Sequence, residues 1–333
     1  MGINFIVKRV LFRADAAPHI GIGDLISLIH ISKYFSEEYE HYFIIREYKA
    51  GVDLVKKYNL NNCYIIDANC TLEDEVEYIN NFVSKYNIDI LFFEITERKL
   101  SEYIGITKEV KKIAVNFDGC ILDDLDLVID WDVEAYKYFS VNNYPNTKFL
   151  LGPKYVILPK EFYSNRVIHR VNSLIGKRVL IAMGGADELD LTAIVANTII
   201  NSNLKVELNI IVGSGYEYKS GLEDTLKKSG LKYSIKQNIT NMLDEYLSCD
   251  IGIGAGGLIS SELLATKVSP ILIATYKHQI ARCEYFHNMG WAKYLGYREF
   301  KNSDLIDAIS NPVKPMIENI FETKVIIDEI EKI

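Results

Sequence analysis

A glycine-rich segment near the C-terminal end of the chain reads Ile251-Gly-Ile-Gly-Ala-Gly-Gly-Leu-Ile-Ser-Ser-Glu-Leu-Leu-Ala265. Its apolar start, its glycines and its helical spacing predict a buried strand, a tight turn and a helix, in that order. Such a turn brings backbone N–H groups and the positive end of a helix dipole to one point, where a phosphate can bind. Glycine-rich turns are also plain tight connections, so the neighbouring segments must decide its role.

The composition limits the class of protein. The chain has 333 residues, more than a single core usually supports, and a net charge of −8 without any run rich in lysine or arginine. This charge argues against a nucleic-acid or anionic-membrane surface. The five cysteines are odd in number and widely spaced, which indicates neither a disulfide framework nor a zinc site. We therefore expect a two-domain cytoplasmic protein that acts on small molecules, without an integral membrane segment.

Apolar strands alternate with helices along the N-terminal half. The pattern predicts a first strand over 8–13, a loop over 14–23, and a helix with Asp24 as its N-cap. Further strands are predicted over 42–46, 63–66, 88–93, 113–116 and 127–129, with helices over 52–58 and 73–86. Apolar strands separated by helices imply a parallel sheet covered on both faces. Its ligands bind beyond the carboxyl ends of the strands, where the first loop lies.

This first loop carries the candidate residues of the N-terminal half. Asp24 is either a helix cap or a general base, and one residue can serve both roles. His19 is either a solvated loop residue or a second catalytic candidate. Arg13 and Asp15 are either an ion pair that braces the loop or substrate-binding residues, and Gly23 is a further substrate-binding candidate.

An acidic cluster follows the fifth predicted strand. It lacks the spacing of a calcium loop and has large apolar residues between its carboxylates, so we predict no metal site and mostly solvated side chains. Its members are Asp118, Asp123, Asp124, Asp126, Asp130 and Asp132.

The C-terminal half repeats the same alternation after a Pro- and Gly-containing passage over 144–159. A strand over 178–183 leads into the glycine turn Gly184-Gly-Ala-Asp187 and a helix over 191–200. Beyond the glycine-rich segment, a buried strand over 270–274 delivers residues 276–279 to the same sheet edge. We predict an α/β protein with two Rossmann-like domains, 1–155 and 170–315, and a C-terminal helix over 316–333 that packs on or between them.

Several stretches together resemble one family, the UDP-sugar hydrolases of the pseudaminic acid pathway and their spore-coat polysaccharide relatives. The matching stretches have the order and spacing of the family, and together they extend over most of the chain. They are Phe12-Arg-Ala-Asp15, Ile20-Gly-Ile-Gly23, Asp126-Leu-Val-Ile-Asp130, Leu151-Gly-Pro-Lys-Tyr155, Met183-Gly-Gly-Ala-Asp187, Asn241-Met242, Cys249-Asp-Ile-Gly-Ile-Gly-Ala-Gly-Gly257, Glu262 and Gln279.

The resemblance implies a fold of the glycosyltransferase B type, with the nucleotide on the C-terminal domain and UDP as the leaving group. Gly256, Gly257 and Ser260 would then lie at the diphosphate, Glu262 at the ribose and Gln279 near the phosphate or sugar. The full set of nucleotide-binding candidates is Gly184, Gly185, Asp187, Met242, Gly256, Gly257, Leu258, Ser260 and Glu262, with His278 and Gln279 as substrate-binding candidates. The resemblance requires no metal or other cofactor, because helix dipoles and backbone N–H groups can stabilise the leaving diphosphate.

Departures from the family pattern fall on its functional positions. Asp24 stands where these hydrolases have a catalytic histidine, and Ser27 where they have an arginine. Leu258 and Ile259 replace hydroxyl residues, and Lys277-His278 replaces Asp-Asn. The Gly-Asp pair at Asp24 resembles that of inverting transferases such as the lipopolysaccharide heptosyltransferases, in which the aspartate deprotonates an acceptor hydroxyl.

Three functions follow from these residues. The first is inverting glycosyl transfer from a UDP-linked amino sugar to a sugar acceptor, with Asp24 as base, in surface-polysaccharide or nonulosonic acid biosynthesis. The second is hydrolysis of the donor to a free 2,4-diacetamido-type sugar, with Asp24 or His19 activating water. The third is a non-catalytic protein that binds sugar nucleotides. The sugar, the acceptor and the oligomeric state stay open.

Overall fold

The computed structural model describes residues 7–17, 19–95, 99–103, 105–116, 124–164, 167, 178–185, 187–213, 215–216, 221–237, 239, 241–315, 321 and 323–333. The chain forms two compact units, which we call the N-terminal unit (Met1–Lys160 with Phe321–Ile333) and the C-terminal unit (Glu161–Ile320). Each unit is built on its own parallel sheet. The prediction of two Rossmann-like domains is confirmed.

The strands of the N-terminal unit are β1 (Lys8–Ala14), β2 (Tyr39–Arg46), β3 (Cys63–Ile66), β4 (Ile90–Glu94), β5 (Lys111–Val115), β6 (Leu127–Asp130) and β7 (Lys148–Leu151). Within the described residues they form one sheet in the order β3-β2-β1-β4-β5-β6-β7, and neighbouring strands run parallel. The order runs outward from β1 to β3 and resumes on the other side of β1 with β4. Doubly wound sheets bind ligands at this switch point.

The strands of the C-terminal unit are β8 (Arg178–Ala182), β9 (Glu207–Val212), β10 (Tyr233–Gln237), β11 (Ile251–Ala255), β12 (Ser269–Ala274) and β13 (Lys293–Tyr297). Their order is β10-β9-β8-β11-β12-β13, and neighbouring strands are again parallel. Every residue of β11 and of β12 is buried, as their apolar sequences predict. The switch point of this sheet lies between β8 and β11.

The α-helices among the described residues are α1 (Gly23–Ser32), α2 (Lys49–Tyr58), α3 (Leu72–Tyr86), α4 (Ala135–Tyr138), α5 (Leu191–Ile200), α6 (Leu222–Ser229), α7 (Leu243–Leu247), α8 (Leu258–Ala265), α9 (Ile280–Asn288), α10 (Asn302–Ser310) and α11 (Thr323–Ile330). Local sequence sets their ends, as α3 illustrates. The Thr71 side chain accepts a bond from the backbone N–H of Asp74, and Asn87 ends the helix in the left-handed conformation.

The C-terminal helix belongs to the N-terminal unit. Helix α11 packs against the short 3-10 helix Pro153–Tyr155, and Glu329 on α11 forms an ion pair with Lys148. Residues 316–320 of the predicted C-terminal segment lie outside the described residues. The chain therefore returns to its first unit after completing the second.

Candidate functional site

The two glycine turns flank the switch point of the C-terminal sheet. Gly184 and Gly185 follow β8, and Gly256 and Gly257 follow β11, the strand beside it. Since both strands are parallel, both turns leave the same edge of the sheet. The structure thus brings together two segments that lie about 70 residues apart in the chain, at the position where ligands of such sheets bind.

Packing requires one glycine in the second turn and one at the end of β11. A Cβ atom at Gly256 would lie 2.4 Å from the Cys283 sulfur, and one at Gly254 would lie 2.6 Å from a methyl group of Ile259. Any larger residue would push α8 or α9 off the sheet. These glycines therefore permit close packing, which is the plain structural role that their sequence also allowed.

The first turn of α8 has the features of an anion site. Its N-cap is Gly257, which has no capping side chain, and Gly257, Leu258 and Ile259 are partly exposed. The first N–H groups of a helix lack acceptors within the helix, and its dipole favours negative charge there. Ser260 is fully buried, and its hydroxyl donates to the carbonyl of Gly257 at 2.6 Å. A phosphate contact by Ser260 stays a prediction.

Gln279 lies against the glycine turn. Its amide oxygen accepts bonds from the backbone N–H of Thr275 at 2.9 Å and from the Thr275 hydroxyl at 3.0 Å. Its amide nitrogen is 3.5 Å from the position of a Cβ atom on Gly257. The neighbouring His278 is exposed, and its ring stacks on Tyr276 with centroids 5.7 Å apart. Of the predicted substrate contacts on this unit, the structure places Gln279 directly beside the turn.

Glu262 is held by a tyrosine that the sequence did not single out. The Tyr246 hydroxyl donates to Glu262 Oε2 at 2.6 Å, and Glu262 is only 8% exposed. Burial raises the pKa of Glu262 to about 7, the Tyr246 bond opposes the rise, and the charge of Glu161 adds to it. The carboxyl group therefore changes charge near neutral pH. Met242 is the N-cap of α7, and its carbonyl accepts the backbone N–H of Tyr246 at 3.0 Å.

The first glycine turn is shaped by backbone contacts. Gly184 has a φ of +97°, which favours glycine, and a Cβ atom at Gly213 would lie 2.1 Å from the carbonyl oxygen of Gly185. Asp187 caps α5, since its carboxylate accepts the backbone N–H groups of Leu191 at 2.9 Å and Thr192 at 2.8 Å. Nucleotide binding by Asp187 stays a prediction. Gly213 was missed, because a single glycine after a strand carries no pattern.

Arg13 and Asp15 belong to a buried ion network in the N-terminal unit. Arg13 donates to Asp15 at 2.7 Å and to Glu75 at 2.6 Å, and Arg46 donates to Glu75 at 2.6 Å. The Tyr103 hydroxyl also donates to Glu75, at 2.8 Å. Burial alone would lower the pKa of Arg13, but the charges of Asp15 and Glu75 outweigh it and raise this pKa.

This network braces the loop rather than lining an open surface. Arg13 is 0% exposed and Asp15 is 1% exposed, and Asp15 also accepts the backbone N–H of Arg46 at 2.7 Å. The ion pair that the sequence offered as one interpretation is therefore present, and it is buried. Substrate binding by Arg13 and Asp15 stays a prediction, and their observed contacts are structural.

Asp24 lies in the first turn of α1 and is not its cap. The helix begins at Gly23, and the N-cap is Ile22, so the predicted N-cap role of Asp24 is wrong. The side chain of Asp24 is half-buried, whereas Gly23 and His19 are exposed. The His19 ring meets that of Tyr48 edge-on, with centroids 5.5 Å apart. A carboxylate in the first turn is stabilised by the helix dipole, and the role of Asp24 as a base stays a prediction.

Glu94 is a carboxyl group of this sheet edge that the sequence reasoning missed. It ends β4, directly opposite Ala14 at the end of β1, and is 2% exposed. Burial raises the pKa of Glu94 well above its usual value, and the charge of Asp24 raises it further. The available signal was an acidic residue that closes the apolar strand Ile-Leu-Phe-Phe-Glu.

The acidic cluster is less solvated than predicted. Asp130 at the end of β6 is only 3% exposed and accepts the backbone N–H of Asp132 at 2.8 Å. The other two described members contact the buried Lys112. The backbone N–H of Lys112 donates to the Asp126 carboxylate, and its ammonium group donates to the Asp124 carboxylate. Asp118 and Asp123 lie outside the described residues. The expectation of solvated side chains is therefore wrong for Asp130.

The described part of the chain has neither a metal-ligand cluster nor a membrane-spanning helix. No group of three or more histidine, cysteine, aspartate or glutamate residues there is arranged to hold a metal ion. No helix there combines the length and the apolar character needed to cross a membrane.

The C-terminal half is similar to a known family of domains. Residues 178–324 match the glycosyltransferase family 28 C-terminal domain. An uncharacterised protein of Methanocaldococcus jannaschii is 27% identical over 162 residues, which cover 47% of this chain and 33% of that protein. The match thus spans about a third of the length of this relative.

Solved structures resemble the whole chain. MurG of Acinetobacter baumannii has a TM-score of 0.64 at 14% identity and covers 98% of this chain and 100% of its own. Anabaena HepE in complex with UDP, and the UDP-GlcNAc 2-epimerase of Neisseria meningitidis bound to UDP-GlcNAc, each have a TM-score of 0.59 at 10% identity, with the same coverage. The fold is therefore of the glycosyltransferase B type, as the sequence resemblance implied.

Proposed function

We propose that the protein is a nucleotide-sugar-dependent, inverting glycosyltransferase-like enzyme that releases UDP from a UDP-linked amino sugar. We assign it to surface-polysaccharide or nonulosonic acid biosynthesis, the setting of the family that its sequence resembles. The C-terminal unit binds the nucleotide, and the N-terminal unit supplies the base.

One observation carries the nucleotide assignment, the uncapped N-terminus of α8 at the switch point of the C-terminal sheet. Its first N–H groups and helix dipole suit a diphosphate, and the buried Glu262 one turn later suits a ribose hydroxyl. The structures of Anabaena HepE and of the Neisseria epimerase were solved with UDP and UDP-GlcNAc bound, which supports a uridine nucleotide as the ligand.

The proposed reaction uses Asp24 as a general base. A hydroxyl oxygen forms a bond to the anomeric carbon while the bond from that carbon to the diphosphate oxygen breaks. UDP leaves with the bonding electrons, and the hydroxyl proton moves to Asp24. A carboxylate suffices because the alcohol loses its proton late, as the new bond forms. The N–H groups at the start of α8 stabilise the charge that develops on the leaving diphosphate.

An assay of UDP release from a panel of UDP-amino sugars tests this proposal, first without an acceptor and then with candidate sugar acceptors. Release only with an acceptor is the expected result and identifies a transferase. Release of free sugar without an acceptor would instead identify the hydrolase. UDP binding without release under any condition would contradict both and favour a non-catalytic binding protein.

The variant Asp24→Asn tests the assigned base. It should leave UDP affinity unchanged and lower the rate of UDP release by about 10²- to 10⁴-fold, the usual contribution of a general base. A rate equal to that of the wild type would show that Asp24 is not the base.

A further inference from the structure

The switch point of the N-terminal sheet has an acidic residue on its central strand. The strand order reverses between the neighbouring strands β1 and β4. Ala14 at the end of β1 pairs with Glu94 at the end of β4. Doubly wound sheets bind ligands in this position, beyond the carboxyl ends of the two strands that flank the switch. The loop that carries Asp24 starts from the same edge, because it follows β1.

One oxygen of the Glu94 carboxyl group lacks a hydrogen-bond partner among the described residues. Glu94 is 2% exposed, and this oxygen, Oε2, is buried. A buried polar atom left in this way destabilises the fold unless a ligand satisfies it. The buried Glu75 of the same unit shows the contrast, since it binds Arg13, Arg46 and Tyr103.

The charges that act on Glu94 are negative. Asp24 on α1 and Asp130 at the end of β6 both disfavour its ionised form, whereas Ser27 on α1 and Asn116 after β5 favour it through hydrogen bonding. Burial is the largest effect and raises the pKa of Glu94 well above its usual value. Glu94 is therefore a neutral acid under conditions in which a solvated glutamate would be ionised, and it can donate a hydrogen bond.

We infer that Glu94 is a second carboxyl group of the N-terminal ligand site, which binds, together with Asp24, the hydroxyl group that attacks in the proposed reaction. The inference rests on the proposed function. The neutral Glu94 donates to the oxygen of this hydroxyl, and the hydroxyl donates its proton to Asp24. When the new bond forms, Asp24 takes that proton and Glu94 keeps its own. A hydroxyl fits this pair because it can accept one hydrogen bond while donating another.

The test compares the full-length variants Glu94→Gln and Glu94→Ala with the wild type, using the UDP-amino sugar that the wild type turns over. The wild-type rate should fall at alkaline pH, as Glu94 ionises and its donor is lost. Glu94→Gln keeps a donor that does not titrate, so its rate at neutral pH should stay within about threefold and its alkaline fall should vanish. Glu94→Ala should lose at least about tenfold at every pH.

Infrared spectroscopy gives a readout that does not depend on turnover. At neutral pH both Glu94 and the buried Glu262, whose pKa is about 7, should contribute carbonyl bands of protonated carboxylic acids, and Glu94→Gln should lose the band of Glu94 and retain that of Glu262. The exposed Glu109→Gln is the matched control, and it should retain both bands and the wild-type pH profile. If Glu94→Ala fails to fold, the comparison of Glu94→Gln with the wild type decides whether Glu94 donates to the hydroxyl group.

Two results would overturn the inference alone. These are an unchanged alkaline fall in Glu94→Gln and a carbonyl-band region of Glu94→Gln that matches that of the wild type, each with UDP binding intact. Failure of the wild type to bind UDP would overturn the proposed function and the inference with it, so the two failures are distinguishable.

Discussion

The ionisation of Glu262 is balanced between burial and one hydrogen bond. Burial and the charge of Glu161 favour the neutral form, whereas the bond from Tyr246 favours the carboxylate, and the resulting pKa is about 7. A carboxylate accepts more hydrogen bonds than a neutral carboxyl group. Under the proposed function, the affinity for a ribose that donates to Glu262 therefore depends on pH near neutrality.

UDP affinity should weaken as the pH falls through about 7, because Glu262 becomes protonated there. In Tyr246→Phe the bond that favours the carboxylate is lost, so the midpoint of this transition should move upward by about one pH unit. Calorimetric titration with UDP between pH 5.5 and pH 9, on the order of seven points, measures both curves. A wild-type affinity that is independent of pH across this range would exclude the contact between Glu262 and the ribose.

At the scale of elements, the close approach of α8 and α9 to β11 depends on glycines. Gly256 has no room for a methyl group, since the Cys283 sulfur would be only 2.4 Å away. Gly185 on the other turn has no atom within 4 Å of its Cβ position and accepts a methyl group without a clash. Packing therefore requires a glycine at Gly256 but not at Gly185, although the sequences of the two turns look alike.

The variant Gly256→Ala should lower the free energy of unfolding by about 1 to 3 kcal/mol through overpacking against Cys283. Urea denaturation measures the loss, and Gly185→Ala is the matched control, which we expect to be close to neutral. Adding Cys283→Ala should recover part of the stability, because it removes the clashing sulfur. Equal losses in the two glycine variants would contradict the packing argument.

The ion network around Glu75 joins three elements, since Arg13 lies on β1, Arg46 on β2 and Glu75 on α3. Burial raises the pKa of Glu75, but its partners, with Arg13 the largest, outweigh this and lower it below its usual value. A lowered pKa in the folded state means that Glu75 stabilises the protein above the pKa of the unfolded chain. This contribution is lost as the pH falls through the folded-state pKa.

Glu75→Gln should therefore destabilise the protein at neutral pH by about 3 to 5 kcal/mol, because Arg13 and Arg46 stay buried without their carboxylate. The deficit should shrink as the pH falls below the ordinary pKa of a glutamate and through the lower folded-state pKa of Glu75, where the folded wild type loses the same charge. Urea denaturation at several pH values measures this, with the exposed Glu73→Gln on the same helix as control. A deficit that does not depend on pH would argue against the ion network as its source.

At the scale of the whole molecule, local sequence predicts the elements but not their neighbours in space. The alternation of apolar strands with helices was sufficient to predict two Rossmann-like domains, and the glycine turns indicated one candidate ligand-binding edge. The role of Glu94 depends on β4 lying beside β1, and that strand order is not a local property. Tyr246 and Glu75 were missed for the same reason, since their partners lie 16 and 62 residues away in the chain.

Each sheet reverses its strand order once, and the candidate residues gather at these two reversals. In the C-terminal unit the reversal is flanked by the two glycine turns, and in the N-terminal unit by Glu94 and the loop of Asp24. The same topology thus presents N–H groups in one unit and carboxyl groups in the other. This difference is consistent with the proposed function, in which the C-terminal unit binds the nucleotide and the N-terminal unit supplies the base.

Calorimetric titration of the full-length protein with UDP, CMP and GDP tests the proposed nucleotide binding. We expect one UDP per chain, bound in preference to CMP and GDP, and an affinity for UDP at least about tenfold weaker in Glu262→Ala, the cost of one lost hydrogen bond to a charged group. Absence of binding for all three nucleotides would contradict the account.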